Sequence, residues 1–244
     1  MSTAAVPHHA GSWLHAGTAD TMHAHNQPET LPVCLSFLDG LGLDTDQASA
    51  LCGQFTVPSL DAERLTPHLL SLVASAGARA HDCLYLSTPI TTGRHHLRSP
   101  RDSDRDEIIT GNRQRARAVV EHLRATRPEM VIDPTGLDDV PGWQQDDYHR
   151  LWVAVIERFA RIVVFVNDWQ YSVGCTKEFG AAYRHALPIF GQDLRPLTYE
   201  EGLRLLYAAA REVNAVTGVD TPLLKAIAEV DELVATRPPP DAKP

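Results

Sequence analysis

The sequence predicts an α/β protein whose strands form one parallel sheet. Between residues 83 and 190, short apolar runs alternate with longer amphipathic segments, which is typical of strands joined by helical crossovers. The run Ile162-Val-Val-Phe-Val166 is rich in β-branched residues and has the length of a buried parallel strand. Because such crossovers are right-handed, the expected architecture is a flavodoxin-like or Rossmann-like three-layer sandwich.

The predicted elements divide the 244 residues into five segments. Residues 1–30 form a disordered tail with several histidines, 31–80 a helical N-terminal addition, 81–195 the α/β domain, 196–236 two C-terminal helices and 237–244 a loose tail. In the N-terminal addition, Asp44 and either Ser59 or Asp61 have the spacing of helix caps. Strands are predicted at 83–87, 130–132, 162–166 and 187–190, and the helices between them at 108–126, 146–159 and 175–186.

Composition excludes several classes of protein. The net charge of −9 argues against nucleic acid as the main partner. The absence of an 18-residue apolar run and of a signal peptide predicts no contact with a membrane. The four cysteines form no CxxC pair, so reduced thiols in a cytoplasmic protein are expected. The histidines of the tail match no compact ligand set, and no metal site is predicted.

A polar loop and a helix follow the strand at 162–166. Ser172 and Gly174 precede a helix whose free N–H groups would suit an anion. Glu178 lies about one turn into this helix, and its side chain points back toward the loop. A glutamate in a first turn is also a common dipole or capping partner, so two roles are open.

A second polar loop follows the first strand, at residues 88–96. Its threonines, Gly93 and Arg94 are the residue types that contact phosphates and hydroxyls. The charged stretch from Ser99 to Glu107 is predicted to be an exposed, mobile excursion. Neither the GxGxxG fingerprint nor the GxxxxGK[ST] loop is present, and no cofactor is predicted.

Two stretches together resemble the nucleoside 2-deoxyribosyltransferase-like family, which includes nucleoside 5′-monophosphate N-glycosidases. Tyr85-Leu-Ser-Thr-Pro-Ile-Thr-Thr-Gly-Arg94 is similar to the opening strand and sugar-phosphate loop of that family. Ser172-Val-Gly-Cys-Thr-Lys-Glu178 is similar to its S-x-G-x-x-x-E signature. The resemblance covers roughly residues 82–195.

The resemblance implies a role for each matching residue. Glu178 would be the nucleophile that attacks the anomeric carbon. Ser172, together with Gly174, would contact a 5′-phosphate. The transferases of the family tend to hold an aspartate at the position of Ser172, and an aspartate would repel a phosphate. The first loop would wrap sugar and phosphate, with Arg94 as the cationic partner or else as a plain surface arginine. The loop positions concerned are Thr88, Ile90, Thr91, Gly93 and Arg94.

The departing base needs a proton, and the sequence leaves its donor open. Asp147 starts the helix that carries the general acid in the family, but it equally suits a helix cap. Asp146 and Asp168 are competitors, and Asp168 is expected to face the cleft. Tyr148, Trp169 and Tyr171 are aromatic candidates for stacking on a base or for packing.

The leading hypothesis is therefore hydrolysis of the N-glycosidic bond of a nucleoside 5′-monophosphate, a small-molecule substrate. The alternatives are a nucleoside 2-deoxyribosyltransferase, which exchanges bases, and a nucleotide-binding module without catalysis. The resemblance further implies a homo-oligomer, most simply a dimer.

Overall fold

Four parallel strands form one sheet in the part of the chain that the computed structural model describes, namely residues 27–55, 57, 59–94, 105–217 and 221–236. The strand order is β2-β1-β3-β4. The bounds are β1 Cys83–Ser87, β2 Val131–Ile132, β3 Ala160–Phe165 and β4 Ile189–Gly191. All neighbouring pairs are parallel, with Leu84 opposite both Val131 and Ile162. The predicted α/β fold class is confirmed.

Eight α-helices accompany the sheet within the described residues. They are α1 Gln27–Asp39, α2 Thr45–Cys52, α3 Ala62–Ser75, α4 Arg105–Thr126, α5 Gln145–Phe159, α6 Val173–Arg184, α7 Tyr199–Thr217 and α8 Pro222–Thr236. Helix α4 begins three residues before the predicted start, because Asp106 and Glu107 are favourable charges in a first turn. Helix α6 begins at Val173, because Ser172 is its N-cap.

The two faces of the sheet are covered by different helices. Leu84 and Leu86 of β1 pack in one apolar cluster with Ala116 and Val120 of α4. The alternate residues of the same strand, including Tyr85, belong to a second cluster with α5 and α6. This arrangement is the predicted three-layer sandwich, and it follows from the two-residue period of a strand.

The N-terminal helices extend the second face. Asp44 caps α2 by accepting from the Gln47 amide, and Asp61 caps α3. The rings of Phe37 in α1 and Trp152 in α5 stack with centroids 5.8 Å apart. Helix α1 begins at Gln27, four residues before the predicted addition, and helices α1, α2 and α3 follow one another up to Ser75.

The C-terminal helices pack beside α6. Tyr199 donates to the carbonyl oxygens of Ala182 and Leu187 at 2.7 and 2.5 Å, which ties the start of α7 to the end of α6. None of the helices in the described residues combines the length and apolar character needed to span a bilayer. Residues 1–26 of the predicted N-terminal tail (1–30), the predicted C-terminal tail (237–244) and residues 99–104 of the predicted charged excursion (99–107) lie outside the described residues.

Candidate active site

A cleft of about 810 Å³ opens at the carboxyl end of β1 and β3. Chain connections leave these two neighbouring strands in opposite directions, since β1 leads to β2 on one side and β3 leads to β4 on the other. Such a switch point is where open α/β sheets bind ligands. The cleft is lined by the loop after β1, the start of α6 and parts of α4, α5 and α8.

Glu178 lies at the inner wall of this cleft with 7% of its surface exposed. Both of its carboxylate oxygens accept hydrogen bonds from β1. The Tyr85 hydroxyl donates to Oε1 at 2.7 Å, and the Ser87 hydroxyl donates to Oε2 at 2.6 Å. Burial raises the pKa of Glu178 to about 7, although both hydroxyl donors act to lower it. Such a carboxyl group can serve as a nucleophile or as an acid–base group near neutral pH.

The groups around Glu178 stay neutral. Burial raises the pKa of Tyr85 well above its usual value, and the neighbouring Glu178 adds to the rise. Tyr85 is therefore a permanent hydrogen-bond donor. Burial also raises the pKa of the Cys175 thiol, so Cys175 is not a thiolate nucleophile. Glu178 remains the candidate reactive group on this wall.

The start of α6 forms the adjoining wall. Ser172, Gly174 and Lys177 all line the cleft. The Ser172 hydroxyl accepts from the Cys175 amide at 3.4 Å, which leaves the other free amides of the first turn near the cleft. These residues belong to the loop for which the sequence predicts anion binding.

The loop after β1 supplies the opposite wall through Thr88, Ile90 and Thr91. Its path is held by buried Asn112 of α4, whose amide donates to the carbonyl oxygens of Ile90 and Thr92 at 2.8 Å each. Among the described residues, Thr88 Oγ1 is buried without a hydrogen-bond partner, and so is the Nε of Arg113, which also lines the cleft.

Gly93 and Arg94 do not line the cleft. The guanidinium of Arg94 pairs with Glu212 of α7 at 2.9 Å and lies 5.4 Å from the ring centroid of Tyr171. The positive φ of Gly93, 120°, directs the chain toward this contact. Arg94 therefore holds the loop against α7, and the cations on the cleft wall are other residues.

The three candidate aspartates are separated by the structure. Asp147 accepts from the Gln144 amide at 2.7 Å and pairs with Arg150, and it lines a second cavity of about 610 Å³ instead. Asp168 does not line the cleft, contrary to the expectation, because the strand ends at Phe165 and Asp168 turns the chain with a φ of 67°. Asp146 does line it.

The aromatic candidates also divide. Tyr148 lines the cleft, and so does Trp152, which was not among the candidates. Trp169 packs in the core between Phe165 and Phe179. Tyr171 supports Arg94 and donates to Glu212 at 2.5 Å.

His149 is a cleft residue that the sequence reasoning missed. It precedes Trp152 by three residues and therefore lies on the buried face of α5. This spacing was the feature of the sequence that could have identified His149. A Cβ at Gly174 would lie 3.4 Å from Nε2 and Cδ2 of this ring, so the absent side chain at Gly174 lets the ring approach α6. Its Nδ1 lies 3.4 Å from Asp146, which also accepts from Lys177 at 3.0 Å. Burial and Lys177 lower the pKa of His149, so its ring is neutral at pH 7.

The described residues contain no group of three or more histidine, cysteine, aspartate or glutamate side chains that could hold a metal ion. The tail histidines lie outside the described residues. Comparisons with protein-family models, with curated proteins and with solved structures found no match to this chain.

Proposed function

We propose that this chain hydrolyses the N-glycosidic bond of a nucleoside 5′-monophosphate, with Glu178 as the nucleophile. The observation that carries the proposal is a buried carboxylate with both oxygens held by hydroxyl donors, at the wall of a large cleft on the switch point of the sheet. The resemblance of residues 85–94 and 172–178 to the deoxyribosyltransferase-like family supports the same reaction.

Glu178 would attack the anomeric carbon of the sugar. Its oxygen forms a bond to C1′ while the bond from C1′ to the base nitrogen breaks. The electron pair of that bond leaves with the base, which takes up a proton from solvent. The transition state is cationic at the sugar, so a carboxylate stabilises it. Tyr85 and Ser87 orient both oxygens, which lowers the entropic cost of reaching the reactive geometry. Water then cleaves the glycosyl ester.

The start of α6 would hold the 5′-phosphate. The first-turn amides and the hydroxyl of Ser172 are suitable donors, and Lys177 adds a charge. The unpartnered Thr88 Oγ1 and Arg113 Nε are further donors that a ligand oxygen would satisfy. Cationic and carboxylate side chains balance in the lining, with Arg105, Arg113, Lys177 and Lys225 against Asp139, Asp146, Glu178 and Glu229. The cleft is therefore far less negative than a chain with a net charge of −9, as binding of an anion requires.

The base would occupy the side of the cleft formed by α5. Tyr148 and Trp152 present aromatic surface there. Stacking on such rings is favourable for any base, so the identity of the base is left to the polar groups around it.

The test is incubation with the common ribo- and deoxyribonucleoside 5′-monophosphates, followed by chromatography for free base. We expect base release by the wild type and a loss of about 10³-fold or more in Glu178→Gln. The matched control is Glu121→Gln, the same substitution at an exposed position of α4, which should retain full activity. The corresponding nucleosides without phosphate should be poorer substrates if α6 binds the phosphate.

Two other outcomes would replace the proposal. Base release that requires an added acceptor base would identify a transferase. Stabilisation by a nucleotide without any product, with or without an acceptor, would identify a binding module.

The proposal includes a homodimer, as the resemblance implies. Helix α7 exposes Leu205 and Val216, eleven residues or about three turns apart and so on one face. Light scattering should give twice the mass of 26.8 kDa, and Leu205→Asp should reduce it if this face is the interface.

A further inference from the structure

The neutral imidazole of His149 lines the same cleft as the candidate nucleophile and has no role in the attack described above. Only 14% of its side chain is exposed, and the ring lines the cleft. A carboxylate only accepts hydrogen bonds, so the contact with Asp146 places the ring proton on Nδ1. Nε2, which packs beside Gly174, then carries a free lone pair.

The spacing of His149 and Glu178 follows from the geometry of α6. Gly174 and Glu178 are four residues apart and lie on the same face of the helix, separated by about 6 Å of helical rise. Nε2 of His149 lies against the first of these positions and the carboxylate belongs to the second. Nε2 therefore lies within about one helical turn of Glu178 along α6, and both residues line the same cleft. Retaining glycosidases likewise hold two catalytic groups beside one scissile bond.

We propose that His149 is the general base that activates water to release the sugar from Glu178, which makes the chain a hydrolase and not a base-exchanging transferase. This inference rests on the proposed function. The water oxygen forms a bond to C1′ while the ester bond from C1′ to Glu178 breaks, and the electron pair of that bond returns to the carboxylate. The water proton moves to Nε2 of His149.

Asp146 and Lys177 set the state of this base. Asp146 accepts from both His149 and Lys177, and 76% of its side chain is exposed. It fixes the tautomer, stabilises the imidazolium that forms in the step and connects it to solvent, to which the proton then leaves. Burial, together with the charge of Lys177 beside Asp146, lowers the pKa of His149 and keeps the resting imidazole in its basic, neutral form.

The test separates the two chemical steps in His149→Ala. The substrate is the monophosphate that the wild type cleaves fastest in the panel above. Rapid quenching should show a burst of about one free base per active site, because attack by Glu178 is intact. Steady turnover should then fall by about 10²-fold or more, the usual contribution of a general base. Mass spectrometry of the quenched protein should show a sugar-phosphate adduct that is absent in the wild type.

Azide provides a readout that a merely structural role would not move. It is a nucleophile that needs no base, so it should restore turnover of His149→Ala and yield a glycosyl azide. The matched control is His185→Ala, which removes a histidine that also faces a carboxylate, that of Glu157 at 3.4 Å, on the surface. This control should behave as the wild type. If His149→Ala does not fold, His149→Gln is used in the same experiment.

Three outcomes would overturn the inference. Unchanged steady turnover in the variant would show that another group activates water. A slow first turnover without an adduct would place the defect before the ester forms. If the wild type itself releases no base in a single turnover, the proposed function fails and this inference fails with it, whereas the first two outcomes leave the function of Glu178 intact.

Discussion

Replacing Glu178 with glutamine should change the stability of the protein, relative to the wild type, more favourably at pH 8 than at pH 5. In the wild type, the carboxylate is buried beside β1, and its burial raises the pKa to about 7 from an ordinary value of 4.5. Glutamine has nearly the same shape but never ionises. Comparison of the two proteins therefore isolates the free energy of burying the charge.

The magnitude follows from the two pKa values. Below pH 4.5 Glu178 is protonated in the folded and unfolded states and adds no pH dependence. As the pH rises further the unfolded chain ionises first, so the free energy of unfolding of the wild type falls, and the loss is complete above about pH 7. A change of pKa from 4.5 to about 7 corresponds to about 3 kcal/mol, most of which is lost between pH 5 and pH 8.

The hydrogen bonds add a term that does not depend on pH. Tyr85 and Ser87 both donate to the carboxylate. The amide of glutamine accepts only through Oε1 and donates through Nε2, so one hydroxyl has to rotate to accept, at a cost of about 1 kcal/mol. This cost shifts the whole curve of the variant. It does not change the difference between pH 5 and pH 8.

Urea unfolding of both proteins at several values between pH 5 and pH 8 measures the effect. We expect the stability of Glu178→Gln minus that of the wild type to increase by about 2–3 kcal/mol across this range, with equal m values. Glu121→Gln, at an exposed site, should run parallel to the wild type. Parallel curves for Glu178→Gln as well would refute a buried carboxyl group with a raised pKa.

Two further substitutions test the surroundings of the site, and a pair of glycine substitutions tests the packing of the helices. Tyr85→Phe removes one donor to the carboxylate and should move the acidic limb of the pH–rate profile upward by about one pH unit, whereas an unmoved limb would contradict the contact with Glu178. Asn112→Ala removes two hydrogen bonds to the loop after β1 and should lower the free energy of unfolding in urea by about 1–3 kcal/mol. KM should rise by a larger factor than kcat falls. A fall in kcat as large as the rise in KM would show that the Asn112 amide acts in the chemical step. Gly202→Ala places a Cβ 2.3 Å from a phenylalanine ring of α6 and should lower the free energy of unfolding by about 1–3 kcal/mol. Gly111→Ala, whose Cβ would have no atom within 4 Å, should stabilise α4 by about 0.5–1 kcal/mol. Equal thermal midpoints for the two variants would argue against this packing.

Much of the fold was predictable because the elements depend on local patterns. The strand at 162–166 and the helix after it were located within two residues, since β-branched runs and helical periodicity act over a few positions. The start of α4 was missed by three residues, because charged residues suit both a loop and a first turn. The cap Asp61 was one of two candidates, and only the backbone geometry chose between Ser59 and Asp61.

The site was predictable where it depends on chain order. Ser172, Gly174, Thr88, Ile90 and Thr91 line one cleft, since loops after adjacent parallel strands meet at one edge of the sheet. The alternative role of Asp147 in capping the helix was also foreseeable, because its partner is only three residues away. The cap residue itself is Gln144, and Asp147, the third residue of the helix, accepts from its amide.

The remaining features depend on contacts between residues far apart in the chain. Arg94 is a residue type that binds phosphate, but its guanidinium forms an ion pair with Glu212, 118 residues later in the chain. Strand period alone puts Tyr85 and Ser87 on one face of β1. Only the packing of α4 on one side and α6 on the other decided that this face meets Glu178. The approach of His149 to Gly174 likewise required α5 and α6 to lie side by side. The sequence by itself determined the strands, the helices and the edge of the sheet that carries the cleft, because these follow from short-range periodicity and chain order. The tertiary structure decided which charges are neutralised, buried or left facing the cleft, because electrostatic partners are chosen by distance in space and not by distance along the chain.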